Sequence, residues 1–199
     1  MSIRDEVRQL KRERILKAAE ELFYERGFTA TTLDAIAESL DMTKPFVYGA
    51  FDKKTDILVE IYMRIMRKTF DALKQAKRLD GSPTTRLRHF AELFTDVVIE
   101  NQAGVAVFFR EEAFIPPEHV QETNRLKSEF DAQLSELLEE GMAAKEFVIR
   151  DVRLAALAIG GMISWVYIWY REDGRLDSAS IGNHMAEYAL RIAGARSMA

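Results

Sequence analysis

The residues best equipped for chemistry in this chain form one run, Thr43-Lys44-Pro45-Phe46-Val47-Tyr48-Gly49-Ala50-Phe51. It offers hydroxyl and ammonium donors with no cysteine, histidine or carboxylate among them to activate a nucleophile, which is the chemistry of binding rather than of catalysis. The pattern predicts a helix of barely two turns. Thr43 is placed to cap it, its hydroxyl accepting a first-turn amide. Pro45 falls where a missing backbone N–H does no harm. Val47 and Phe51, four apart, share one face with Ala50 beside them. Pro45, Phe46, Tyr48 and Gly49 fall on the other. An interior glycine costs about 1 kcal/mol of helix stability against alanine, so Gly49 points to close approach by another molecule's surface. The run reads as a small outward-facing probe.

Other candidate chemistry is weaker. Each of the three histidines has a glutamate three residues later, in His89/Glu92, His119/Glu122 and His184/Glu187. Each pair shares a helix face, but carboxylate-bridged di-iron bundles use the reverse order with companion glutamates. Surface ion pairs are the preferred reading, and no metal or cofactor is expected. No Ser–His–Asp spacing, glycine-rich phosphate loop or cysteine nucleophile occurs. Of Arg110-Glu111-Glu112, one carboxylate could turn inward as a general acid, although charges at a bundle surface explain them better. The chain is not expected to be an enzyme.

The elements that position the run follow from the neighbouring pattern. Thr31–Leu40 predicts a short helix capped by Thr31 or Thr32, with Ile36, Ala37 and Leu40 inward, and only Asp41-Met42 separates it from Thr43. Two short helices so tightly joined form a helix-turn-helix, whose second helix fits the DNA major groove. An αα-hairpin inside some other helical protein has the same spacing. Arg8–Arg26, with Ile15, Ala18, Ala19, Leu22 and Phe23 at helical spacing and Gly27 as its stop, would be the platform beneath. Its Arg12, Arg14 and Lys17 read as a solvated face, and Arg4 and Arg8 as a tail that could reach a groove. A fourth helix opens at Asp52–Asp56 and runs to the loop Asp80-Gly81-Ser82-Pro83. Five further helical stretches follow, about 84–102, 104–114, 118–143, 151–171 and 178–195, with Gly104 among the breaks. No alternating strand pattern occurs, so the expected fold class is all-α.

Composition bounds the function. The chain has 199 residues, 48% hydrophobic and 30% charged, which suffices for a soluble core. It has no cysteine, which fits a reducing cytoplasm and excludes disulfides and thiolate metal sites. The net charge is −4, and residues 1–60 hold 10 Lys/Arg against 12 Asp/Glu. Nucleic-acid binding would then rest on aimed hydrogen bonds rather than on a broad positive field. Leu154–Tyr170 is uncharged for 17 residues, the lower limit for a membrane span. Gly160-Gly161 and Ser164 within it favour a helix buried in a bundle.

From about Arg14 to Leu58 the chain resembles the DNA-binding domain of the tetracycline-repressor (TetR) family. The matching residues are Ile15-Leu16-Lys17-Ala18-Ala19, Leu22-Phe23, Gly27-Phe28, Thr31-Thr32, Ile36-Ala37, Thr43-Lys44, Val47-Tyr48, Phe51, Lys54 and Ile57-Leu58. Ala50 departs from the histidine usual there, and Gly49 from a bulky residue. Gly161–Tyr170 with Gly174-Arg175-Leu176 is similar to the branch that responds to coenzyme-A thioesters. The resemblance implies a DNA-binding domain over 1–54 and a six-helix ligand-binding and dimerisation domain over 55–199. It further implies a homodimer through Arg153–Arg171 and Ser178–Ala195, acting as a cytoplasmic repressor that an effector releases from a palindromic operator.

The expected contacts are specific. Thr32, Thr43, Tyr48 and Lys54 should touch phosphates, with Lys53 beside them, while Lys44, Pro45, Phe46 and Gly49 approach bases. For the effector, Trp165 and Trp169 are four apart, Met162 lies three before Trp165, and Gly161 lies a turn earlier. That spacing predicts a slot with aromatic walls and a small floor. Phe94, Phe108, Phe109, Phe114 and Arg110 are expected to complete an apolar pocket with a basic exit. A dimeric DNA-binding scaffold without effector, and a helical metal-carboxylate enzyme, are the alternatives.

Overall fold

The computed structural model describes residues 3–195, and among these there are helices and no strand. The expected all-α class holds. The α-helices are α1 (Ile3–Arg26), α2 (Leu33–Ser39), α3 (Lys44–Tyr48), α4 (Lys54–Arg78), α5 (Pro83–Glu100), α6 (Gln102–Arg110), α7 (Pro117–Ala143), α8 (Val152–Ser164), α9 (Val166–Trp169) and α10 (Ser178–Ile192). A 3₁₀ turn over Glu112–Phe114 follows α6. The chain divides into two compact units, residues 1–65 with 103–121 and residues 66–102 with 122–199.

In the first unit, α1 buries Ile15, Leu16, Ala19 and Phe23, and Ile36, Val47, Phe51, Ile57 and Ile61 complete the core. Gly27 ends α1 at φ +80, a left-handed conformation that suits glycine, and its N–H closes on Phe23 O. The α2–α3 joint is a Schellman turn. Asp41 N–H bonds Glu38 O at 3.0 Å, Met42 N–H bonds Ala37 O at 3.0 Å, and Asp41 takes φ +52. A short polar residue tolerates that conformation better than a branched one. Two residues therefore suffice to turn the chain from α2 into α3.

Gly104 departs from the expected break. It lies buried inside α6, where an added Cβ would stand 3.1 Å from Ile65 Cδ1. Its smallness serves packing rather than termination.

The second unit is built on α5, which packs against α8, α9 and most extensively α10. Phe90, Phe94 and Phe130 form a ring cluster with centroids 5.6–6.1 Å apart, and Phe70 meets Phe130 edge-on at 5.9 Å. Such offset and edge contacts are favoured by the ring quadrupoles. The stretch expected as one helix over 151–171 is two, α8 and α9, with Trp165 at their joint. Gln102 Nε2 donates to Tyr167 O at 2.7 Å and Tyr170 O at 3.2 Å, satisfying carbonyls at the end of α9. Val152–Trp169 meets the length and hydropathy of a membrane span, but one such segment is also what a helix of a folded bundle looks like.

Candidate nucleic-acid interface

The α2–α3 pair presents most of the residues expected to meet nucleic acid. Thr32 caps α2, its Oγ1 accepting from Ala35 N–H at 3.0 Å. Thr31 is instead buried, donating to Gly27 O at 2.9 Å. Thr43 has the extended backbone of an N-cap, yet its hydroxyl makes no cap bond, contrary to the expectation for it. Pro45 and Gly49 are exposed and Phe46 is half-buried. Gly49 is not interior: it is the C-cap of α3, at φ −76.

An added Cβ at Gly49 would meet the Pro45 carbonyl oxygen first, at 3.0 Å. Lys11 on α1 lies with its Nζ 4.7 Å from the centre of the Phe46 ring, and an added Cβ at Gly49 would stand 3.3 Å from the same ammonium. Lys11 therefore joins the exposed end of α3 from another helix. No periodicity could have announced it, since 38 residues separate it from Gly49 in sequence.

Lys44 and Tyr48 are four apart on α3 and converge on one carboxylate. Lys44 Nζ bonds Asp34 Oδ2 at 2.6 Å and Tyr48 Oη bonds Asp34 Oδ1 at 3.3 Å. The bond from Lys44 is the main cause holding the Asp34 carboxyl below its ordinary pKa, and reciprocally it raises that of Lys44.

Lys53 is exposed, and its backbone N–H bonds Asp56 Oδ2 at 3.1 Å at the start of α4. Lys54, expected at a phosphate, has partners within the chain. Its Nζ donates to the carbonyls of Phe28 and Thr31, the latter at 2.7 Å, and lies 4.2 Å from the centre of the Phe28 ring. Burial pushes its pKa down, opposed by the charge of Glu111. The ammonium straps the α1–α2 loop to the start of α4. Arg12, expected on a solvated face, is another strut: it donates to Ala50 O at 2.7 Å, pairs with Glu60, and covers the Phe51 ring at 4.1 Å.

The residues expected around an effector do not form the slot drawn from their spacing. Within the first unit, Phe108 stacks on Tyr62 at 4.0 Å and Phe109 meets Phe108 edge-on. There too Phe114 packs on Phe28 at 5.1 Å, and Arg110 donates to Tyr24 O at 3.3 Å. Phe94 belongs to the ring cluster of the second unit. Also in that unit, Trp165 is 58% and Trp169 46% exposed, Met162 is half-buried, and an added Cβ at Gly161 would meet nothing within 4 Å. The reason is the phase of α8. Ala155, Ala156, Ile159 and Ile163 face its core, which turns Leu154, Leu157, Gly161 and Trp165 the other way. A groove of about 380 Å³ between α4 and α5 mixes polar walls from Lys68, Asp71, Asp96 and Asn101 with apolar Leu93 and Val97, and no aromatic residue lines it. Of the His–Glu pairs, His89 and Glu92 approach to 4.0 Å, and the described residues contain no group of three His, Asp or Glu able to hold a metal.

Comparison with known proteins now decides the kinship. Residues 15–61 match the family described as bacterial regulatory proteins, tetR family, and residues 80–193 match the tetracyclin repressor-like C-terminal domain. The chain belongs to the TetR family. It is similar to the HTH-type transcriptional activator FasR of Mycolicibacterium smegmatis, 22% identical over 182 residues, 92% of this chain and 82% of that one. Among solved structures it is similar to a tetR-family regulatory protein from Rhodococcus RHA1, at 28% identity and TM-score 0.87, covering 94% of this chain and 98% of the other. It also shares the fold of AibR, solved in complex with isovaleryl coenzyme A and operator DNA, at 24% identity and TM-score 0.79, covering 89% and 97%. This TetR-family chain is accordingly a DNA-binding transcriptional regulator and not an enzyme.

Proposed function

We propose that this regulator is a cytoplasmic homodimeric repressor that leaves a palindromic operator when it binds a small amphipathic effector. The observation that carries the reading is the exposed α3. It is turned out by the α2–α3 Schellman joint and presents Lys44, Pro45, Tyr48 and Gly49 with Lys11 alongside. Thr32, Thr43 and Lys53 flank it as phosphate contacts, and Lys44, Phe46 and Gly49 approach bases. Lys54 acts one step back, by holding the loop that carries Thr31 and Thr32.

The dimer is read from α8 and α9. Leu154, Leu157, Trp165, Ile168 and Trp169 are exposed apolar residues in a stretch without a charge from 154 to 170, and Tyr188 on α10 is exposed as well. Large exposed apolar groups gathered in this way mark a protein interface, and tryptophan is a frequent anchor there. The division of labour is 1–54 for DNA and 55–199 for effector and partner.

For the effector, the isovaleryl coenzyme A named with AibR supports an acyl thioester. Phe94 and its ring cluster supply apolar lining in the second unit. Phe108, Phe109, Arg110 and Phe114 stay with their partners in the first unit, and Gly161, Trp165 and Trp169 pass to the interface. Each ligand biases the populations of DNA-competent and incompetent states.

The test is anisotropy of a duplex that the protein itself selects from a randomised pool, titrated with isovaleryl coenzyme A and with isovalerate. Saturable release by the thioester and little by the acid is the expected result. Selection of a duplex with no release by any acyl thioester of a chain-length series would leave a scaffold that binds DNA without this effector class. Failure to select any duplex would remove the operator reading itself.

A further inference from the structure

We infer that Asp34 is a specificity-determining residue of the DNA-binding face, an acid that restrains the Lys44 ammonium and the Tyr48 hydroxyl and turns away phosphates. The inference rests on the reading of α3 as the DNA-recognition helix. Asp34 lies in the first turn of α2, one element away from the residues it holds. Its carboxylate spans both, at 2.6 Å from Lys44 Nζ and 3.3 Å from Tyr48 Oη. The cluster is open to solvent, with the Asp34 side chain 37% and the Lys44 side chain 64% exposed. An acid exposed beside a recognition helix opposes the very polymer that helix is meant to meet.

Asp34 neither caps α2 nor enters its core. The cap of α2 is Thr32, and the buried residues of α2 are Leu33, Ile36 and Ala37. An acid in a first turn does favour the helix dipole, but any exposed first-turn acid would do so without reaching across to α3. What Asp34 does is set a condition on Lys44. A free lysine gains affinity for any duplex by neutralising a phosphate and releasing its counterions. A lysine already paired at 2.6 Å must exchange one anion for another, so the phosphate backbone alone gives it little. A guanine edge gives more, because O6 and N7 can accept hydrogen bonds from the ammonium while it donates another to the carboxylate. The pair thus discriminates by disfavouring the wrong partner as well as by fitting the right one.

The test uses the full-length protein, a duplex selected by the wild type from a randomised pool, and a scrambled duplex of the same composition, over a series of salt concentrations. Asp34→Ala should bind the scrambled duplex roughly 3–10-fold more tightly at 0.1 M salt, with a salt slope steeper by about one. Binding to the selected duplex should change less, so the ratio of the two affinities falls. Asp34→Asn, which keeps an acceptor oxygen but no charge, should give the same rise on scrambled DNA. In a Lys44→Ala background, removing Asp34 should leave the slope unchanged, because the cation it restrains is gone. An unchanged affinity ratio in both Asp34 variants would overturn the inference. So would an equal loss on both duplexes together with a lower melting temperature, which is the signature of a merely structural acid. If the wild type enriches no sequence at all, it is the DNA-recognition reading that fails, and the inference with it.

Discussion

α3 and the α8–α9 pair both turn aromatic side chains to solvent, yet the surroundings of those rings differ in kind. Beside α3, the exposed Tyr48 is tied to a carboxylate and Phe46 lies under an ammonium. Along α8 and α9, Trp165, Ile168 and Trp169 stand in a stretch without a charged residue. A surface rich in aimed donors suits a hydrated polyanion, which exchanges water for hydrogen bonds. A surface with apolar bulk and no charge suits another protein, which removes it from water altogether. Exposure alone does not tell these apart, whereas the polarity of the neighbours does.

The sharpest way to break that contrast is to charge the apolar side. Trp165→Glu should dissociate the dimer, since anchors of this type cost about 2 kcal/mol or more when lost at an interface. Affinity for the selected duplex should then fall by about 100-fold or more, as each monomer holds a half-site without its partner. Sedimentation equilibrium reads the first effect and anisotropy the second. A variant that remains dimeric would return the α8–α9 tryptophans to the effector and undo the comparison.

Next in size is Lys54, where the polar side hides a residue that serves the fold. Loss of charge-assisted bonds to the Phe28 and Thr31 carbonyls should cost Lys54→Met about 1.5–3 kcal/mol, or roughly 3–10 °C in melting temperature. The salt slope of DNA binding should stay as it is. An unchanged melting temperature with a slope flatter by about one would restore Lys54 as a phosphate contact.

These cases show what was legible in the sequence. The helix-turn-helix was, because the Thr32 cap, the Ile36/Ala37 face and the two-residue joint are local signals. The role of Lys54 was not, because its partners are backbone carbonyls more than twenty residues away that no side-chain pattern encodes. The role of Asp34 is illegible for a like reason: its partners lie 10 and 14 residues on, in a different helix. The orientation of α8 was illegible for the opposite reason. Where nearly every residue is apolar, periodicity cannot say which face is core: the Gly161–Trp165–Trp169 line suits the inward side in sequence, whereas Ala155, Ile159 and Ile163 occupy it. Gly104 reads as a breaker in sequence because only the position of Ile65 reveals that α6 needs a small residue there.

Lys11 gives a smaller, sequence-independent effect that sharpens the polar half of the comparison. Lys11→Ala should weaken selected and scrambled duplexes alike by about 3–10-fold and flatten the salt slope by about one. A loss confined to the selected duplex would move Lys11 from phosphate to base. Gly49→Ala serves as its companion: the new Cβ would press on the same ammonium at 3.3 Å, which yields by a few tenths of an ångström, so the loss should be smaller than for Lys11→Ala.

The smallest effect concerns how firmly the two kinds of surface helix begin. The N-cap of α3, Thr43, makes no side-chain bond, whereas the N-cap of α10, Asp177, accepts from Ser180 N–H at 2.8 Å. Hydrogen bonding from Ser180, side chain first and backbone second, lowers the Asp177 pKa below its ordinary 3.8. A carboxyl depressed on folding adds stability that is present above 3.8 and is lost as pH falls through the depressed value. Asp177→Asn keeps an acceptor for the cap but has no charge to lose. The wild type should therefore have the higher urea midpoint near pH 6, and the difference should close as the pH falls below the ordinary carboxyl value and through the depressed one. Thr43→Ala, by contrast, should leave the midpoint unchanged at both ends of that range, because no bond is removed. A pH-independent difference for Asp177→Asn would show that the cap acts through geometry alone. A fall in the midpoint for Thr43→Ala would show that α3 is held at its start after all, and that the two surfaces differ less in their anchoring than in their chemistry.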